Sequence, residues 1–368
     1  MISAFSAVKK ISALQVQNPS NSPTLDNRSP ITDPRSGEAS DQQSAISNQQ
    51  SEHCSVSIVI VNWNSKDYVA ACLRSLEKYE NINQLQIIVV DGASYDGCDA
   101  MLAAQFPYVR FIQSPENVGF GRCNNLGVEQ ATSRYLLLLN PDTEFRAPTI
   151  DKMVAWHQKL PQAGILCPRL LLTDGSLQYS SVQAAPTPLN QALGSEFLQK
   201  RFPKSKLWGT YPAYYRNAPT SVEAVSGAFM FLKTETFRSV GGFNPAYFMY
   251  AEDMDLCLQV RRAGLLNYHI PDTEVTHHGG GSSSKQVSTF ATLKMKEANR
   301  LYFLINHGKL AAASYVIGQS ASAIVRCISC SIKSIVTGSS PRRNPTYSKW
   351  ICTLKWTISE KHYDEDKR

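Results

Sequence analysis

The chain contains no run of about 18 uninterrupted apolar residues, the length a membrane-spanning helix requires, so no crossing of a bilayer is expected. Its opening residues, MISAFSAVKKISAL, are broken by Ser and Lys where a secretory signal needs a continuous apolar core, and secretion is not expected either. A dense Lys/Arg block is also missing. The formal net charge is +7, but its dispersal argues against nucleic acid as a partner and favours anionic headgroups or phosphorylated substrates. The nine cysteines lack a disulfide-framework spacing, which points to a reducing, cytoplasmic setting. Cys327 and Cys330 have metal-pair separation without a second pair, which leaves packing as their role. No internal repeat is present. At 368 residues and 43% hydrophobic, the chain can bury one main core with appendages.

Residues 1–54 are mostly Ser, Asn, Gln, Pro and Asp after the first stretch, too poor in large apolar side chains to offset their ordering entropy, and are expected to be disordered. Order begins at residues 56–61 (VSIVIV), an apolar β-branched run of the kind found in buried parallel strands. A helix with Val69, Cys72, Leu73 and Leu76 on one face follows, then a strand at 86–90 ending at Asp91. The alternation continues with a helix at 101–106, a strand at 109–113, a helix at about 119–130 and the strand at 135–139. Strands alternating with helices predict a doubly wound, mainly parallel α/β sheet with helices on both faces, whose ligands sit beyond the carboxyl ends of the strands. Asn62-Trp63-Asn64, Asp91-Gly92-Ala93-Ser94 and Asn140-Pro141-Asp142-Thr143 all fall at such ends. Further on, the pattern predicts a helix at 150–160, strands at 164–168, 226–232, 268–270 and 274–276, and a helix at 252–264. The irregular stretch 174–219 has the length of a lid or substrate-binding insertion.

A nucleoside-diphosphate donor needs a surface for its base, acceptors for its hydroxyls and a cation for its pyrophosphate. Trp63 can stack on a base, Asp91 can accept from base or ribose, and Asp142 can hold a hard divalent cation, although a lone strand-end Asp is equally a turn cap. Asp253 shares a helical face with Leu256, Cys257 and Val260 and therefore faces inward, where it can act as a general base or merely offset the helix dipole. Glu252 and Asp255 read as first-turn charges, with Asp255 turned toward Gln259 and Arg262. His277 offers an imidazole, and the Gly/Ser run through Gly280 can close over phosphates or simply connect. Gly119-Phe120-Gly121 lacks the third glycine of a dinucleotide fingerprint and follows the wrong strand, so that reading is rejected; Arg122 can meet a phosphate or be a solvated helix charge.

These motifs, in order from VSIVIVNWN (56–64) through VVDGASYDG (89–97), NVGFGRCNNLG (117–127), LLLLNPDT (136–143), SGAFMF (226–231), FMYAEDMDLCLQVR (248–261) and HHGGGSS (277–283), resemble the rhamnosyltransferase-like branch of family 2 glycosyltransferases. The resemblance implies a GT-A fold over 55–285 and an inverting transfer of a sugar, rhamnose in the first instance, in cell-surface polysaccharide synthesis. The implied donor is dTDP-rhamnose or a UDP-sugar, and the acceptor a glycan or lipid-linked glycan. It also implies nucleotide binding by Trp63 and Asp91, a Mg2+ or Mn2+ position at Asp142 and His277, and Asp253 as base; Asn62 and Arg122 are expected beside the nucleotide, and Gly227, Glu252 and Gly280 on the acceptor side or in the loop. Asn140 departs from the pattern, since the wider family has a second acid in that element; a cation here would draw most of its shell from pyrophosphate and water. The competing readings are a nucleotidyltransferase, disfavoured because Asn-Trp-Asn replaces a basic Gly-rich loop after the first strand, and a noncatalytic nucleotide- or glycan-binding module, which would have no use for Asp253. Residues 286–340 are expected to be helical, with Ile317, Ala321, Ile324, Ile328, Ile332 and Ile335 in one stripe that suits either a peripheral membrane contact or packing on a protein surface; 341–368 read as a polar tail.

Overall fold

A computed structural model describes residues 55–194, 216–279, 289–337 and 345–359, with isolated positions between 195 and 215. The expected disorder of 1–54 and the loop containing Gly280 lie outside the described residues. The first half alternates β1 (Val56–Asn62), α1 (Lys66–Tyr79), β2 (Leu85–Asp91), α2 (Cys98–Gln105), β3 (Arg110–Gln113), α3 (Phe120–Glu129) and β4 (Tyr135–Leu139). Every residue of β1 and β4 is buried, which is why both read as continuous apolar runs instead of alternating ones. Then come β5 (Thr143–Phe145), α4 (Ile150–Lys159), β6 (Ala163–Leu171), β7 (Val182–Gln183), α5 (Pro188–Leu193), β8 (Thr220–Val222), β9 (Ala224–Val225), β10 (Phe229–Lys233), α6 (Thr234–Ser239), α7 (Glu252–Arg262), β11 (Leu266–His277), α8 (Thr289–Val336) and α9 (Pro345–Thr357).

The main sheet runs β3-β2-β1-β4-β10-β6-β11-β5, with β8 added on β11. β1 pairs in parallel with both β2 and β4, and β2 with β3. The chain winds outward from β1 to β2 and β3, then returns to the other side of β1 as β4. That reversal opens a crevice beyond the carboxyl ends of β1 and β4, where a doubly wound sheet holds its ligand. β10 enters antiparallel between β4 and β6, so the residues just before it reach the same edge as the residues just after β4. The two short extended segments expected at 268–270 and 274–276 form one strand, β11; its register on β6 shifts between Ile270 and Glu274, around Pro271, which has no N–H to give the ladder.

A second cluster of Tyr247, Ala251, Ala298, Tyr302, Phe303, Ala312, Tyr315 and Trp356 joins the approach to α7 with α8 and α9. α8 turns at Gly308, whose φ of 83° and ψ of 177° are not helical. Its second half faces α5: Gln319 Nε2, Ser322 Oγ and Arg326 Nη2 donate to the carbonyls of Gln191, Ala192 and Gly194. The tail expected to be polar contains α9; Trp356 is buried and the Trp350 ring lies under the Arg326 guanidinium at 4.3 Å.

α3 lies close on the sheet at Gly127, where a Cβ would come within 2.4 Å of Val59 Cγ1 and 3.1 Å of Val90 Cγ2. Gly127→Ala is expected to push α3 off β1 and β2 and destabilise the fold by about 1–3 kcal/mol, the usual cost of overpacking. A thermal midpoint equal to that of the unaltered chain would contradict this packing.

Candidate active site

The register of β1 on β2 sets Asn62 opposite Asp91. Asn62 Nδ2 donates to Asp91 Oδ1 at 2.7 Å and lies within 3.2 Å of Ser94 Oγ and 3.1 Å of Asp96 Oδ1, while its Oδ1 accepts from Ser65. Asp91 also accepts from the backbone N–H groups of Ser94 and Tyr95, the Ser94 hydroxyl and Gln113 Nε2. Burial pushes this carboxyl up, but the hydrogen bonds from Ser94, Gln113 and Asn62 outweigh it and hold the group below its ordinary value. Asp91 therefore holds the loop after β2 in shape. Trp63, next to Asn62, remains 39% exposed, an aromatic face at the mouth of the crevice. Gly92 lies beside it: a Cβ there would meet the Asn62 carbonyl at 3.5 Å and Cys123 Sγ at 3.6 Å. The Cys123 thiol is pushed up to about 11 by burial and the nearby Asp91 charge, which makes it a packing group and not a nucleophile.

After β4, the Asn140 N–H donates to the Ala228 carbonyl at the start of β10. Asp142 Oδ1 and His277 Nε2 stand 3.1 Å apart, both nearly buried, and His277 Nδ1 lies 2.9 Å from Gln178 Oε1. The pairing of β5 with β11 brings them together, with His277 opposite Thr143. Two ligands bound side by side to an octahedral Mg2+ at about 2.1 Å lie about 3 Å apart, and a ligating His gives its other ring nitrogen to an acceptor such as the Gln178 carbonyl oxygen. The donor set thus fits a hard divalent cation through one carboxylate oxygen and one imidazole. Among the described residues no cluster of three or more His, Cys, Asp or Glu accompanies it, so substrate oxygens and water would complete the shell.

On the opposite wall, Asp253 faces inward as helical spacing predicts. Its Oδ2 accepts from Gly227 N at 2.9 Å and its Oδ1 from its neighbour Met254 N at 2.8 Å. Burial raises its proton affinity and these donors moderate the rise. Gly227 lies directly against this carboxylate; a Cβ there would touch Asp253 Cβ at 3.4 Å. Glu252 is not the solvated first-turn charge expected: it is 6% exposed and is pushed up to about 8 by burial and by Asp253. Asp255 does reach Gln259, but it is buried and also accepts from Asn306 of α8, so it ties that helix to the catalytic core. Arg122 is exposed and donates through Nε to the Pro245 carbonyl, anchoring the loop before α7. Ser94, Gln113 and Gln178 were not foreseen. The Asp-x-x-Ser spacing of an Asx turn could have found Ser94, whereas Gln113 arrives through the register of β3 on β2 and Gln178 through the turn after β6, where its N–H donates to the Leu170 carbonyl.

The mainly parallel, doubly wound sheet with helices on both faces, extended by antiparallel β10, β5 and β8, has the architecture of the GT-A fold. Residues 57–233 match the family described as Glycosyl transferase family 2. The chain is 27% identical over 241 residues to N-acetylglucosaminyl-diphospho-decaprenol L-rhamnosyltransferase of Mycobacterium tuberculosis, covering 62% of this chain and 77% of that protein. It is 28% identical over 240 residues to rhamnosyltransferase WbbL of Escherichia coli, covering 61% and 83%. Its fold is similar to that of a mannosyltransferase from Pyrobaculum calidifontis in complex with GDP-Man and Mn2+, with a TM-score of 0.52 and 16% identity over 85% of this chain and 88% of that one. Residues 57–233 thus form a glycosyl transferase family 2 domain, and the chain is a glycosyltransferase.

Because Asp91 is held below its usual value, its contribution to stability is complete above the ordinary carboxylate value of 3.8 and is lost as pH falls through the lower folded value. Asp91→Asn is expected to cost about 2 kcal/mol at neutral pH. The difference in thermal midpoint should shrink below about pH 4; a difference that stays constant from pH 7 to pH 3 would contradict the hydrogen-bonded, ionised state.

Proposed function

We propose that this enzyme moves a sugar from a nucleoside-diphosphate donor to a glycan or lipid-linked acceptor in cell-surface polysaccharide synthesis, with inversion at the anomeric carbon. The observation that carries the reading is Asp253, half-buried and aimed by Gly227 and Met254, on the sheet edge that also holds the Asp142–His277 pair. Asp253 takes the proton of the acceptor hydroxyl as its oxygen attacks the anomeric carbon, and the bond to the nucleoside diphosphate breaks on the opposite face. Asp142 and His277 would hold a divalent cation, which when bound offsets the charge growing on the leaving diphosphate. Trp63 faces the base, and Asn62 and Asp91 hold the loop beside it. Rhamnose, carried as dTDP-rhamnose, is the favoured donor because the two rhamnosyltransferases cover most of their own length in the match; a UDP-sugar is the second candidate.

The acceptor side points to the cytoplasmic face of a membrane. Beyond Gly308, α8 turns Ile317, Ile324, Val325, Ile328, Ile332 and Ile335 outward, 46–77% exposed. α8 is long and apolar enough to cross a bilayer. Its inner face is nonetheless occupied by Tyr315, Gln319, Ser322 and Arg326 bonded or packed against protein, so this half lies along a membrane interface instead of spanning it.

With purified chain, a panel of dTDP-, UDP- and GDP-sugars and Mg2+ or Mn2+, transfer is expected for one donor class. Asp253→Asn should lower kcat by about 10^3-fold with nucleotide affinity within a few-fold. Undiminished transfer by that variant removes Asp253 as the base, and absence of transfer or donor hydrolysis with every sugar favours a binding module. Ile324→Glu combined with Ile328→Glu should weaken flotation of the full chain with phosphatidylglycerol vesicles by about tenfold or more while sparing transfer to a soluble acceptor. Unchanged flotation, or self-association abolished in its place, would remove the membrane role.

A further inference from the structure

Glu252 opens α7 as a carboxyl group buried in the wall of the crevice. It is 6% exposed, and Oε2 has no hydrogen-bond partner among the described residues. Its Cβ stands 3.7 Å from where a Cβ of Gly121 would be, against the first turn of α3. The titratable groups around it are Asp253 on its own helix and the hydroxyls of Tyr247 and Tyr250 in the preceding loop. The nearest cation of α3, Arg122, is turned to the Pro245 carbonyl, and none of the ion pairs among the described residues includes Glu252. Tyr250 and Ala251 adopt φ of 71° and 64°, a conformation side chains rarely take, and this strained entry into α7 turns Glu252 inward.

Asp253 differs in that each of its oxygens takes a backbone N–H. Two carboxyl groups sharing a poorly solvated site do not both ionise readily, and the one with donors ionises first. We propose that Glu252 is a positioning residue held as a neutral acid, so that the pair carries one negative charge and that charge sits on Asp253. The consequence for the reaction rests on the reading of Asp253 as base; the protonation of Glu252 does not.

The test uses the full chain with Glu252→Gln and Glu252→Met, both uncharged and similar in length, beside Asp253→Asn. Between the ordinary carboxylate value of 4.5 and about 8, folded protein would keep a proton that unfolded chain has released, so the unaltered chain should lose stability as pH rises through that window. Neither Glu252 variant has this loss, and their thermal midpoints should gain on the unaltered chain by several degrees from pH 5 to pH 8. A flat difference, or failure of both variants to fold at pH 7, overturns the proposal. At pH 7 Glu252→Gln should keep kcat within about tenfold while Asp253→Asn loses about 10^3-fold; a loss in Glu252→Gln as large as in Asp253→Asn overturns it by moving the base to Glu252. Retained transfer in Asp253→Asn would sink the base reading alone, and the midpoints would still decide the state of Glu252.

Discussion

The crevice depends on the pairing of β1 with β2 in the one register that sets Asn62 beside Asp91. A carboxylate 1% exposed is tolerable only when its oxygens are met by donors, and Asn62, Ser94, Tyr95 and Gln113 supply them from three successive segments. The same network fixes the backbone around it. Asn64, Ala93 and Tyr95 all have φ between 51° and 59°, in the left-handed region, and such strain persists only where the surroundings over-determine it. A slip of one residue between β1 and β2 would turn Asn62 to the other face of the sheet and leave Asp91 without its closest donor.

The reacting groups come from a second constraint, the reversal of β10. Because β10 runs against β4, the turn before it carries Gly227 to the strand-end edge, and Gly227 orients a carboxylate that belongs to a helix 26 residues later. Gly119 completes the wall. It has φ of 89°, and a Cβ would lie 2.0 Å from the Phe248 carbonyl, so only glycine lets the loop before α7 close on α3. Its close approach sets the depth at which Glu252 and Asp253 sit. Adjacent residues on one helix thereby receive different environments: both oxygens of Asp253 take backbone N–H groups from Gly227 and Met254, while Oε2 of Glu252 has no partner among the described residues. Acid and base roles separate by such differences in surroundings more than by residue type.

Much of this was legible in the chain. The buried strands announce themselves as β-branched and leucine-rich runs, and the placing of Asn62, Asp91 and Asp142 at their ends follows once the runs are aligned with the alternating pattern. Asp253 could be turned inward by helical spacing alone. What local sequence could not give are contacts fixed by register across distant segments: Gln178 on His277, Gln113 on Asp91, and Asn306 on Asp255. The state of Glu252 was missed for a related reason. A first-turn acid is normally solvated, and its burial here is imposed by α3 and the loop before α7, neither of which its neighbours in sequence reveal. The helix α9 was hidden because its contacts lie with α8, far back along the chain, among them Trp356 against Tyr315 and Trp350 beneath Arg326.

Arg326 also decides how the end of the molecule is used. A guanidinium that bonds the carbonyls at the end of α5 and lies over Trp350 is held to protein, so its helix cannot withdraw alone into hydrocarbon without leaving a charge unpaired. The outward isoleucines can therefore enter a bilayer only as far as one side of the helix. α5, part of the irregular insertion after Asp174, is bonded to the inner side of that helix and would stand about one helix diameter, 10 Å or so, from the lipid surface. A glycan joined to lipid through a polar linker can cover such a distance. Under the proposed interfacial placement, the seating of α8 would suit acceptors whose reactive hydroxyl projects from the membrane.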